Sequence, residues 1–139
     1  MATDKRGENA LPLVSPFSLI ALDVGEITGI AVLTFETGYA DLRCASTKYS
    51  LQILPLLALL RPDVIILERI PVNHSLEYEA EITYKNIARK AFLVSPGDWK
   101  PVMKNRKWKS PQASNQHEQD AVDMIRYYLF ITQKEDFRL

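Results

Sequence analysis

Apolar positions along this chain fall into two kinds of run. Leu19–Leu22, Ile30–Leu33, Val64–Leu67 and Ala91–Val94 are short and unbroken, the pattern of strands covered on both faces. From Tyr39 to Thr47, Ala40, Leu42 and Cys44 alternate with Asp41, Arg43 and Ala45, as in a half-buried strand. Ser50 to Leu60 is leucine-rich and suits a buried helix, with Pro55 as a kink or first-turn residue. Leu76–Lys90, capped by Ser75, and Gln116–Gln133 carry helical spacing, and a helical turn opens at Ser95-Pro96 and runs through Met103. The predicted strands are Phe17–Asp23, Gly29–Phe35, Tyr39–Thr47, Val64–Glu68 and Ala91–Val94. Gly25 and Gly29 bracket a turn that side chains would obstruct, and Thr37-Gly38 makes another. Pro71–His74 and Asn105–Ser114 read as loops.

Three strands in succession can pair as an antiparallel meander. The two that follow helices return by crossovers and run parallel to the first. The expected architecture is α/β: a mixed five-stranded sheet, a three-strand antiparallel meander plus two parallel strands, with helices on both faces. Residues 1–14 are polar and then proline-broken, the pattern of a loose tail, which leaves residues 15–139 as one domain.

Composition narrows the class. Seventeen basic and seventeen acidic residues cancel, so polyanion binding would have to come from a local patch. One cysteine, Cys44, excludes an internal disulfide framework and a multi-cysteine zinc site, and its strand-like setting suggests an inert core thiol. No apolar run approaches the roughly 18 residues of a membrane span, and the N-terminal stretch lacks the pattern of a signal peptide. A cytoplasmic protein is expected.

Asp23 and Glu68 each end a strand of the parallel set, where ligands of such sheets sit. Two acids there are costly unless a cation or a shared proton intervenes. Oxygen ligation favours Mg²⁺ or Mn²⁺. In the last helix, Ala121, Met124, Ile125, Tyr128 and Ile131 define a buried stripe that includes His117. Asp120 lies at its margin, and Asp123 falls further toward solvent as the weaker candidate. Two ions some ~4 Å apart, bridged by an aspartate, would stabilise the attacking and leaving oxygens of a phosphodiester.

Four segments, LDVGEITGIAVL, PDVIILERI, SPGDWKPVMK and HEQDAVDMI, occur in an order that resembles the RuvC-type Holliday junction resolvases of the RNase H-like superfamily. The resemblance spans roughly Ser18 to Leu129. It implies a Mg²⁺-dependent, structure-selective endodeoxyribonuclease acting on branched or junction DNA with two metal ions. The family's four metal-binding, catalytic residues carry over as Asp23, Glu68, His117 and Asp120. The third is aspartate in many relatives and histidine in others. The family's basic residues after the fifth strand correspond to Lys100 and Lys104. A homodimer is the family's usual assembly. Pro71 stands where typical members carry an aromatic three residues after the strand-four glutamate.

Trp99 to Lys109 carries Lys100, Lys104, Arg106, Lys107 and Lys109 without an acid. With Trp108 as the freer indole and Trp99 in the core, this segment could grip phosphates and stack on exposed bases. Blander readings exist for each residue alone. Asp23 could start a turn, Glu68 could pair with Arg69, His117 could face a core, Asp120 could be solvated, and the basic run could be a solvated loop. Joint placement separates these from the nuclease reading. The competing functions are an RNase H-like module that binds nucleic acid without cutting it, and the phosphate loop of an actin-like ATPase, for which 139 residues are too few.

Overall fold

A computed structural model describes residues 17–36, 39–48, 53–68, 78–79, 82 and 86–139. The elements are β1 (Phe17–Asp23), β2 (Thr28–Glu36), β3 (Tyr39–Thr47), α1 (Ile53–Leu60), β4 (Val64–Glu68), β5 (Lys90–Val94), α2 (Pro96–Lys104) and α3 (Gln116–Gln133). The sheet order is β3-β2-β1-β4-β5. β1–β2 and β2–β3 are antiparallel, and β1–β4 and β4–β5 are parallel. The mixed five-stranded sheet expected from the sequence is therefore present.

Strand parity builds two cores. Leu19, Ala21, Ala31, Leu33, Val64 and Ile66 face α2 and α3, packing on Trp99, Met103, Ala121, Met124 and Ile125. Ile20, Leu22, Ile30, Ile65 and Leu67 face the other way, onto Ile53 and Leu57 of α1 and onto Tyr78 and Ile82. The central strands β1 and β4 are covered on both sides, which is why their sequences are continuous apolar runs. Pro55 sits in the first turn of α1, where a missing N–H costs no helical hydrogen bond.

Some boundaries differ from the sequence reading. Most of the expected helix Leu76–Lys90, its Ser75 cap, the Thr37-Gly38 turn, the start of the Ser50–Leu60 helix and the Pro71–His74 loop lie outside the described residues. The end placed at Lys90 is too late. Asn86 turns to a φ of 52° and Lys90 already belongs to β5. Gly25 is not sterically required, since a Cβ there would meet only the Ile27 carbonyl at 3.5 Å. Gly29 is required, for a reason given below. Cys44 is partly buried, and burial followed by the nearby Glu118 carboxylate pushes its thiol up to about 11, so it is unreactive near neutral pH. Among the described residues no helix is long and apolar enough to cross a membrane.

Candidate active site

Asp23 and Glu68 are the last residues of β1 and β4, and the register pairs Leu22 with Leu67 just before them. Asp23 shares the parity of Leu19 and Ala21, and Glu68 that of Val64 and Ile66. Both carboxylates therefore leave the sheet on the face covered by α2 and α3.

The start of α3 comes to the same place because Gly29 leaves room for it. Gly29 pairs with Asp23 across β1–β2. A Cβ on Gly29 would lie 2.0 Å from the His117 carbonyl oxygen and 2.9 Å from the Glu118 amide nitrogen. The helix backbone thus rests directly on β2. Asn115 caps it by accepting from the Glu118 amide at 2.9 Å, while Glu118 reaches back to accept from the Ser114 amide, one residue before the cap, at 2.9 Å. Asn115 also donates to Ser46 Oγ on β3 at 3.2 Å. These contacts set His117 Nδ1 3.7 Å from Asp23 Oδ2.

Asp23 carries the electrostatic signature of the site. Burial, and then the carboxylates of Glu68 and Asp120, push its carboxyl up to about 6, with His117 pulling the other way. Four sequence-predicted residues therefore act on one another at one end of the sheet. Among the described residues, however, no three His, Cys, Asp or Glu side chains are arranged, as they stand, to hold an ion together. The donor chemistry fits a divalent cation all the same. Carboxylate oxygens dominate it, and their mutual repulsion is the cost a cation would remove.

α2 braces this cluster. Trp99 is fully buried, as expected, and its indole N–H also donates to Glu68 Oε2 at 2.6 Å. Lys104, at the other end of α2, donates to Asp120 Oδ1 at 2.6 Å and to Asp123 Oδ2 at 3.1 Å. Burial opposes its charge, but hydrogen bonds and attraction from the two aspartates outweigh it and hold the ammonium above its ordinary value. Replacing Trp99 by Phe keeps most of the apolar volume and removes the donor. Trp99→Phe is expected to cost about 1.5–3 kcal/mol, the range for a hydrogen bond to a charged group, read as a lower midpoint in urea unfolding. An unchanged midpoint would mean that the indole contributes packing alone.

Two side chains depart from the sequence reading: His117, placed within the buried stripe of the last helix, has a 46% exposed side chain, and Asp123 is buried. Asp123 does not face solvent: it is 2% exposed. Its Oδ1 accepts from Gln119 Nε2 at 2.9 Å and Arg126 Nη1 at 3.3 Å. The helical-wheel argument assumed one covered face, whereas the loop before α3 and the segment after it cover a second. Arg126, itself fully buried, donates to the Phe137 carbonyl at 2.9 Å and Asp136 at 2.7 Å. Trp108, the freer of the two indoles as expected, is half-buried. Its N–H donates to the Leu139 carbonyl at 2.8 Å, and the Arg138 guanidinium lies 5.5 Å above its ring. Arg106 is drawn into the same region, 3.9 Å from Asp136 and 4.6 Å over Phe130. Lys100, Lys107 and Lys109 are exposed. The Trp99 and Lys104 contacts, the residues missed as partners of the acids, had a faint sequence signal: they sit five apart on one short helix beside both acidic elements.

No protein-family model matches the chain, and no curated protein matches it by sequence. Comparison of folds is more informative. The Thermus thermophilus RuvC structure superposes with a TM-score of 0.55 at 13% identity, covering 81% of this chain and 94% of that one. A Fowlpox virus resolvase, solved in complex with its substrate Holliday junction DNA, gives a TM-score of 0.49 at 16% identity over 83% of this chain and 77% of that one, too low to add weight. At the level of fold the chain resembles the first of these: its mixed five-stranded sheet with helices is RuvC-like.

Proposed function

We propose that this protein is a divalent-metal-dependent endonuclease that hydrolyses phosphodiester bonds in branched DNA. The observation that carries the reading is the raised Asp23 carboxyl, burdened by Glu68 and Asp120 at the carboxyl end of two parallel strands and faced by His117. A fold that places a costly group where its ligands bind has a functional use for it.

Asp23, Glu68, His117 and Asp120 would hold two Mg²⁺ ions, with Mn²⁺ able to substitute. When bound, such a pair supplies Lewis-acid stabilisation of the attacking and leaving oxygens. The chain's own residues do the rest. Asp23 and Glu68, fixed by the sheet, present oxygens from a rigid base. Trp99 holds one oxygen of Glu68 in place. The half-exposed His117 imidazole can orient a water against Asp23. Exposed Lys100, Lys107 and Lys109 attract the phosphate backbone. Arg106 and Trp108, engaged with the C-terminal segment, shape the adjoining surface.

Junction, flap, RNA–DNA hybrid and linear duplex, each incubated with Mg²⁺ and with chelator, test the reading. Expected is cleavage of a branched substrate that chelator stops. A second reading, a binding module without catalysis, is favoured by the ammonium already seated on Asp120. Tight junction binding with no cleavage and no bound Mn²⁺ would select it.

A further inference from the structure

Lys104 ends α2 between two carboxylates of α3. Its ammonium is 2.6 Å from Asp120 Oδ1, 3.1 Å from Asp123 Oδ2 and 5.2 Å above the Trp99 ring. The two aspartates are not equal partners. Asp123 is nearly sealed from water, and its Oδ2 is the oxygen that Lys104 serves, while Arg126 and Gln119 serve Oδ1. Asp120 sits nearer solvent and its Oδ1 has a second donor, Gln116 Nε2, at 2.7 Å. Lys104 can thus let go of Asp120 and stay on Asp123. Asp120 would then keep Gln116, and neither carboxylate would be stripped of donors.

We propose that Lys104 is a resident counter-ion that competes with a divalent cation for Asp120, so that metal affinity at this end of the sheet is set by an exchange of one cation for another. This rests on the nuclease reading of the site. A carboxylate already neutralised by a short ammonium contact is a poor ligand, and seating a second positive charge beside that ammonium is repulsive. Once moved off Asp120, the ammonium is free to meet a phosphate of the bound strand. Metal loading and backbone contact are then linked through one side chain, and the protein is less prone to hold metal without DNA.

Mn²⁺ alone is the probe, measured by calorimetry and by loss of the free-ion paramagnetic resonance signal. Lys104→Met and Lys104→Gln both remove the competing charge, and Arg126 and Gln119 still serve Asp123. Each is expected to bind Mn²⁺ about 5- to 10-fold more tightly than the unaltered protein, a shift of roughly 1–1.4 kcal/mol at 1.4 kcal/mol per tenfold. Lys100→Met is the control for general charge, because Lys100 lies over the same Trp99 ring at 5.6 Å. It should change affinity less than about twofold. In an Asp120→Asn background, Lys104→Met should lose its effect, as a direct competition requires. Equal or weaker binding by both Lys104 variants overturns the proposal, as does an equal gain from Lys100→Met. Absence of Mn²⁺ binding at millimolar metal in every protein, Lys104 variants included, overturns the nuclease reading itself.

Discussion

Asp23→Asn is expected to lose cleavage by at least about 10²–10³-fold, the scale for removing one group aimed at developing charge, while making the metal-free protein more stable. The two effects share a cause. In the unfolded chain Asp23 titrates near 3.8, and in the fold it is raised to about 6. Below about pH 4 the carboxyl is protonated in both states and costs nothing. As pH rises toward 6 the unfolded chain has released its proton and the fold still holds one, so stability falls through that window. Above 6 the full cost is present, on the order of 3 kcal/mol at about 1.36 kcal/mol per pH unit. Asparagine removes the charge and hence most of that slope. Denaturant unfolding between pH 4 and 8, with chelator, should show the variant gaining on the unaltered protein as pH rises. Mn²⁺ should stabilise the unaltered protein more than the variant, which lacks the Asp23 carboxylate as a candidate ligand. A variant that cleaves a branched substrate at full rate would remove Asp23 from the chemistry. One that melts identically at every pH would mean its carboxyl is not burdened.

Gly29→Ala should be the most damaging alanine substitution among the described glycines. The new Cβ would lie 2.0 Å from the His117 carbonyl oxygen and 2.3 Å from its carbon, both backbone atoms with no rotamer to escape into. Ordinary contact needs more than an ångström of additional separation, so either β2 or the start of α3 has to shift. Overpacking of this kind costs about 1–3 kcal/mol and sometimes more. The shift also carries His117 and Asp120 away from Asp23, and a misplacement of about 1 Å can cost ~10²-fold in rate. Thermal unfolding and cleavage measured on the same preparation should both fall. By contrast, Gly25→Ala, whose added Cβ meets only ordinary contact, should be mild in both. Equal behaviour of the two variants would contradict the close approach of helix to strand.

The sheet was legible in the sequence because its central strands are buried on both faces and so carry unbroken apolar runs ending in an acid. Asp23 and Glu68 could be paired on paper, since parallel neighbours ending in register present their last side chains to the same face. What could not be read was the covering of α3 on its second side. A helical wheel assumes one wet face. Asp123 and Arg126 lie on a face sealed by contacts with the segment around Phe137, which no periodicity within α3 records. The half-burial of Trp108 escaped the sequence for the same reason, since its partner is the Leu139 carbonyl, 31 residues away. That the Asn115 cap would anchor His117 over Gly29 depends on a backbone approach the sequence does not state.

Trp99 touches both halves of the cluster: its indole N–H is hydrogen-bonded to Glu68 and its ring lies beneath the Lys104 ammonium. An indole held between an anion and a cation reports changes in either through its excited-state dipole. The protein therefore carries a built-in optical gauge of the site, with Trp108, tied to the C-terminal segment, as a second emitter whose contribution a Trp108→Phe variant removes.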